Sequence, residues 1–175
     1  MPLCCQMRRV YLLRHAKSSW KDRSLADRDR PLAGRGKRAA KAVAGHIEAE
    51  GIRPDLVLCS PARRSRETLE RVEAAFGDRV EARFEEALYG ASEAELLARL
   101  RALPPELDSV MIVGHNPGLE DLALALASEG TERARMEAKY PTAALATIDL
   151  SANDWSAIER GSGALVAYVR PRDLD

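Results

Sequence analysis

Val10-Tyr11-Leu12-Leu13-Arg14-His15-Ala16-Lys17-Ser18-Ser19-Trp20 is the stretch from which the rest of the chain can be ordered. Val10 to Leu13 is a short apolar run, rich in β-forming residues and flanked by polar ones, and it reads as a buried strand. It stops at Arg14-His15, so a guanidinium and an imidazole emerge at the strand's carboxyl end. Open parallel α/β sheets bind ligands at that edge. Ala16 is small enough to let the backbone turn away. The reading is a site at the tip of a central strand.

Working outward, the 175 residues are enough for one domain with a sizeable core, and residues 1–175 are expected to form a single domain. Residues 1–7 are expected to be disordered or dispensable, and Met7 is a possible start. Lys and Arg number 27, as do Asp and Glu, so no whole-chain field points to nucleic acid or a membrane surface. No apolar run is long enough to span a bilayer, and Met1 to Arg9 lacks the basic-then-apolar order of a secretory signal. Three cysteines, Cys4, Cys5 and Cys59, make no disulfide framework. The expected compartment is a reducing cytoplasm.

Strands and helices then alternate, which predicts an α/β fold with a mostly parallel central sheet flanked by helices. Lys21 to Lys41 is strongly cationic, with Asp22, Asp27 and Asp29 offsetting it only in part. It reads as a solvated loop entering a helix, or as a basic rim that draws in an anion. The helix runs from about Gly34 to Glu50, with Ala39, Ala40, Val43 and Ile47 on one face. Leu56 to Cys59 is the second strand. It leads into Ser60-Pro61-Ala62-Arg63, read as a helix start with Ser60 at the cap, and Leu69, Val72 and Phe76 mark that helix's buried face. Arg63 falls in the first turn, where a cation is locally disfavoured unless an anion shares the spot; pairing with Glu67 is the alternative. Val80 to Phe84 is a third strand, and Ser92-Glu93-Ala94-Glu95 is a capping box opening a helix with Leu96, Leu97, Leu100 and Leu103 inward. Val110 to Val113 is a central strand ending at Gly114-His115-Asn116-Pro117-Gly118, where Asn116 is expected to cap the next helix. Strands at about Ala144 to Leu150 and Leu165 to Val169 complete the sheet.

Three strand ends thus carry Arg14-His15, Arg63 and His115. Parallel strands share one carboxyl edge, so these groups can converge. Two guanidiniums and two imidazoles without a carboxylate cluster suit phosphoryl transfer, in which forked arginine donors match the phosphoryl oxygens. A neutral imidazole can attack phosphorus and form a phosphohistidine, dividing one hard step into two. A zinc site at His15 and His115 would set Arg14 and Arg63 beside a cation, which is electrostatically wrong. His46 reads as a boundary histidine of its helix, Cys59 as buried filler, and Trp20 and Trp155 as packing residues, Trp20 with the option of walling the pocket.

Arg14-His15-Ala16 resembles the Arg-His-Gly/Ala signature of the histidine phosphatase superfamily, and the chain is most similar to its phosphohistidine phosphatase branch, the SixA-like proteins. The resemblance runs through Leu12 to Trp20, Arg30-Pro31-Leu32, Ser60-Pro61-Ala62-Arg63, Leu88-Tyr89, Val113 to Leu119, Pro141-Thr142 and Val169 to Arg172. Arg-His-Ala alone is a weak signal; with Ser-Pro-x-x-Arg and Gly-His in order it is a strong one. It implies a three-layer α/β/α sandwich like that of phosphoglycerate mutases. By resemblance His15 is the nucleophile, Arg14 and Arg63 clamp the phosphate, and His115 donates to its oxygens. Glu86, three residues before Tyr89, falls where mutase-like relatives keep an acid and is a candidate proton donor; Ser18 and Lys21 are candidate phosphate ligands. Lys21 also stands where mutases carry an Asn, which weakens a sugar-phosphate mutase reading.

The expected activity is a metal-independent phosphatase without a cofactor, acting through phospho-His15 on a protein-borne phosphohistidine of the histidine phosphotransfer type. The alternatives are a general phosphomonoesterase taking small phosphorylated molecules and a non-catalytic module that binds a phosphoprotein. A monomer that binds neither nucleic acid nor membrane is expected. The nucleophile must present a bare ring nitrogen while its other nitrogen donates to an acceptor such as a backbone carbonyl, and the nearby arginines disfavour the imidazolium. His115 can remain protonated when phosphate is bound.

Overall fold

The computed structural model describes residues 6–175, so the expectations for Cys4, Cys5 and the rest of residues 1–5 lie outside the described residues. Met7, grouped above with a dispensable tail, instead opens the first strand. The strands are β1 (Met7–Arg14), β2 (Leu56–Cys59), β3 (Glu81–Phe84), β4 (Ser109–Gly114), β5 (Leu145–Ser151) and β6 (Gly163–Val169). The helices are α1 (Gly34–Ala49), α2 (Arg63–Val72), α3 (Glu93–Arg101), α4 (Gly118–Leu126) and α5 (Thr131–Ala138). α5 carries little apolar periodicity beyond the buried Met136 and has no sequence signal comparable to the others.

The six strands lie in the order β3-β2-β4-β1-β5-β6. β3, β2, β4 and β1 pair in parallel, whereas β5 runs antiparallel to β1 and to β6. β1 and β4 therefore lie inside the sheet, which explains their unbroken apolar runs, since each face is covered. Side chains alternate across a strand. Val10, Leu12, Val110 and Ile112 join the core under α3, α4 and α5, while Tyr11, Leu13, Met111 and Val113 join the opposite core under α1 and α2. The result is a three-layer α/β/α sandwich. Truncating a fully buried residue such as Leu12 or Ile112 to alanine is expected to cost about 2–5 kcal/mol.

Two caps differ from the sequence expectation. α2 begins at Arg63 with Ala62 at its cap, and α4 begins at Gly118 with Pro117 at its cap. Ser60 and Asn116 are thereby released from capping and spend their polar atoms elsewhere. The Ser92–Glu95 capping box is formed as read. Two glycines allow close approach: a Cβ on Gly36 would lie 2.1 Å from the Lys17 carbonyl oxygen, and one on Gly118 would lie 1.9 Å from that of Ala91. Gly36 thus lets α1 start directly against the loop that follows His15.

Candidate active site

The carboxyl tips of three strands are tied together by backbone hydrogen bonds that extend the ladder. The His15 amide donates to the Gly114 carbonyl at 3.0 Å, and the Ser60 amide donates to the Val113 carbonyl at 3.0 Å. His15 and His115 are consequently neighbours, with ring centroids 5.1 Å apart. The turn after His15 is fixed to α2, because the Ala16 amide donates to Thr68 Oγ1 at 3.0 Å and that hydroxyl donates to the Arg64 carbonyl at 2.6 Å.

His15 is buried, and its Nδ1 lies 2.8 Å from the Ala16 carbonyl oxygen. A carbonyl only accepts, so Nδ1 carries the proton and Nε2 presents its lone pair. Burial, then the neighbouring His115, Arg64 and Arg14, push the His15 pKa down to about 3, against the Ala16 hydrogen bond. His115 is lowered to about 4, first by burial and then by Arg64, with Asp27 opposing. Its Nδ1 lies 3.4 Å from Arg64 Nη2 and its Nε2 lies 2.6 Å from Ser60 Oγ. One neutral tautomer satisfies both contacts: Nδ1 accepts from the guanidinium and Nε2–H donates to the serine.

The arginine facing the imidazoles is Arg64. Its Nε lies 3.4 Å from His15 Nε2, and its side chain is 8% exposed. Arg63, assigned above to the phosphate clamp, instead donates from Nε to Glu67 Oε1 at 2.8 Å and is 47% exposed. Helical geometry is the reason. Arg64, Thr68 and Val72 recur at four-residue spacing on the buried face of α2, and Arg63 and Glu67 recur likewise on its outer face. Continuing the Leu69–Val72 stripe back to the helix start reaches Arg64, and Ser-Pro-x-x-Arg counted from Ser60 ends on the same residue.

Arg64 is braced from behind by Asp27. Nη1 donates to the Asp27 carbonyl at 2.8 Å and Nη2 to Oδ2 at 3.1 Å. The Tyr89 hydroxyl donates to that same Oδ2, and the Tyr89 ring meets His115 edge-on at 5.5 Å. Arg30 donates to Oδ1. With Tyr89 as the largest influence, the Asp27 carboxyl is held down at about 2. Asp27, Tyr89, Arg64 and Ser60 are the site residues that the sequence reading did not assign. Arg14 sits on the other side, donating from Nη1 to the Tyr140 carbonyl at 2.9 Å, while its buried Nε has no partner. Burial lowers the Arg14 pKa. Asn116 donates to Glu120 and to the Tyr140 carbonyl.

The softer candidates lie apart from this cluster. Glu86 is 73% exposed and takes a hydrogen bond from Arg28 Nη2 at 2.7 Å. Ser18 is buried but accepts from Arg30 Nη1 at 2.6 Å, bracing the loop rather than facing His15. Lys21 is exposed, with its amide on Ser19 Oγ. Trp20 is 65% exposed with Arg30 stacked at 3.5 Å, and Trp155 is fully buried. Burial pushes the Cys59 thiol up to about 12. No helix among the described residues is long and apolar enough to cross a membrane.

Residues 10–109 match the histidine phosphatase superfamily, branch 1. Over 164 residues the chain is 39% identical to the uncharacterized protein Rv1276c of Mycobacterium tuberculosis, an overlap of 91% of this chain and 100% of that one. The crystal structure of SixA from Agrobacterium tumefaciens superposes with a TM-score of 0.81 at 32% identity, over 94% of this chain and 98% of that one. A protein histidine phosphatase SixA complexed with tungstate superposes with a TM-score of 0.78 at 25% identity, over 95% of this chain and 99% of that one. The Arg-His and Gly-His strand tips, the whole-chain fold and these likenesses agree: the chain belongs to the histidine phosphatase superfamily, branch 1, and is SixA-like.

Proposed function

We propose that the chain is a phosphatase that takes a phosphoryl group onto His15 Nε2, with phosphohistidine on a protein as its preferred substrate. The observation that carries the reading is the tautomer lock. His15 Nδ1 is spoken for by the Ala16 carbonyl, so Nε2 is left unprotonated, and its lone pair takes a long 3.4 Å hydrogen bond from Arg64 Nε that an entering phosphoryl group would replace. The Nε2 lone pair attacks phosphorus as the bond to the leaving group breaks. Arg64 and Arg14 donate to the phosphoryl oxygens, and His115, whose Nε2–H is engaged by Ser60 Oγ, donates from Nδ1 in the protonated form that a bound phosphoryl group favours. Water then attacks phosphorus on phospho-His15, a P–O bond replaces the P–N bond, and orthophosphate departs with His15 restored.

The carboxylates around the site favour the phosphohistidine reading. An alkoxide leaving group needs a proton donor, and Asp27 is held ionised while Glu86 faces Arg28. A phosphorylated imidazole needs no such acid, because its distal ring nitrogen takes a proton from solvent and the ring leaves neutral. A similar protein histidine phosphatase SixA forms a complex with tungstate, a tetrahedral oxyanion, which supports a phosphoryl ligand for this chain.

The test incubates the chain, in chelator, with a phosphohistidine-bearing phosphotransfer protein and separately with p-nitrophenyl phosphate. Faster release from the protein, with an acid-labile phosphorylated chain that His15→Ala does not form, is the expected result. Nitrophenolate leaves without an acid, so the ester reports turnover only; equal or preferred turnover of an alkyl phosphate run alongside supports the general phosphomonoesterase, and binding without turnover supports the non-catalytic module.

A further inference from the structure

Beside the imidazole cluster, on the α1 side of the same sheet edge, lies a second pocket of about 310 Å3. Lys17, Arg35, Lys139, Arg170 and Arg172 line it, so five cationic side chains come from four separate parts of the chain. Arg170 is engaged by Asp173, with Nε at 3.0 Å and Nη2 at 2.8 Å. Lys17, Arg35, Lys139 and Arg172 pair with no carboxylate among the described residues; Arg35 and Arg172 differ in this from most arginines elsewhere, whereas no described lysine pairs. Four like charges gathered without counter-charge repel one another, and that arrangement is relieved when an anion enters. The rest of the lining is Ala39, Pro141, Thr142 and Pro171, which offer an apolar wall and one hydroxyl.

We propose that this pocket is a second anion site, distinct from the phosphoryl pocket, and that it takes the diphosphate group of a small organic ligand. The charge sets the ligand class. One phosphate monoester carries about two negative charges at neutral pH, whereas four unpaired cations match a diphosphate better. Forked arginine donors suit phosphate oxygens bidentately, and the proline and alanine surface leaves room for an organic group. The pocket is mechanically joined to the first site. Lys17 follows His15 by two residues, and the turn through Pro141 and Thr142 ends in the Ala143 amide, which donates to the Arg14 and His15 carbonyls at 3.0 and 3.1 Å. The inference does not depend on which substrate His15 serves.

The experiment titrates metal-free pyrophosphate into the isotope-labelled chain and follows backbone amides by NMR at constant ionic strength. Amides of Lys139, Thr142, Arg170 and Arg172 are expected to saturate together, on a curve separate from that of Gly114 and His115. Lys139→Glu with Arg172→Glu, both exposed and remote from the core, is expected to weaken that curve at least about tenfold. Lys37→Glu with Lys41→Glu, an equal charge change on α1 at a different cationic cluster completed by Arg38 and Arg71, is expected to change it less than about threefold. Shifts confined to the His15 edge would overturn the proposal, as would an unchanged curve in the Lys139/Arg172 variant or equal losses in the two double variants.

Discussion

The two cationic pockets on this sheet edge hold similar charges in opposite ways. At His15, Arg14 and Arg64 are largely withdrawn from water and braced, Arg64 by both oxygens of Asp27 that face it and Arg14 by the Tyr140 carbonyl. In the neighbouring pocket, Arg35, Lys139 and Arg172 are exposed and unbraced. Braced donors cost little reorganisation when charge develops on a transferring phosphoryl group, which is what a transition state demands. Long, exposed cations lose rotamer freedom on binding, so they suit capture better than catalysis. Position on the edge supplies the charge; what stands behind each guanidinium decides its use.

Substitutions can break this contrast, and the largest effect is expected at the nucleophile. His15→Ala should lower single-turnover phosphoryl transfer by about 10⁴-fold or more, with no phosphorylated chain trapped. Next come two adjacent residues of one helical turn. Arg64→Ala should cost about 10²–10³ in kcat, while Arg63→Ala, which removes only a surface pair with Glu67, should change kcat by less than about twofold. Equal effects at 63 and 64 would erase the contrast between an arginine turned toward the imidazoles and one held on the surface by Glu67. Asp27→Asn keeps the shape but loosens the brace, and is expected to cost about tenfold in kcat with little change in KM.

The pH dependence follows from the neutral imidazoles. Because His15 and His115 are lowered to about 3 and about 4, turnover should hold level from neutral pH down to about 5 and fall below about 4. Stability behaves differently. Both folded-state values lie below the ordinary histidine value of 6.5, so between them the unfolded chain binds more protons than the folded one. The contribution of these groups is therefore full above pH 6.5 and is lost as pH falls toward 4 and 3. A thermal-melting series should slope downward in that window, and His15→Gln should flatten it. The smallest effect is expected at Cys59, whose buried thiol should resist a thiol reagent in the native chain and react only on unfolding.

Much of this was legible along the chain. Apolar runs of four residues with turn signals after them gave β1, β2 and β4, because strands buried on both faces leave no alternation to confuse the reading. Arg14, His15 and His115 were legible because each ends such a run. Arg64 was missed where helical phase mattered, since one residue is a rotation of 100° about the axis and moves a side chain from one face to another. Ser60 and Tyr89 fall within recognisable motifs and Asp27 within a charged run, but their roles are not legible there, because each acts on a partner distant in sequence: Asp27 on Arg64, Tyr89 on Asp27, Ser60 on His115.

By itself, then, the sequence determined which strand tips carry reactive groups and that those tips share an edge. Periodicity and turn chemistry are local, and the parallel ladder aligns the ends. Only the tertiary structure decided which arginine faces the imidazoles, which carboxylate holds it, and where four unpaired cations gather. Those outcomes depend on side-chain direction and on contacts between residues far apart in the chain, which no local pattern encodes.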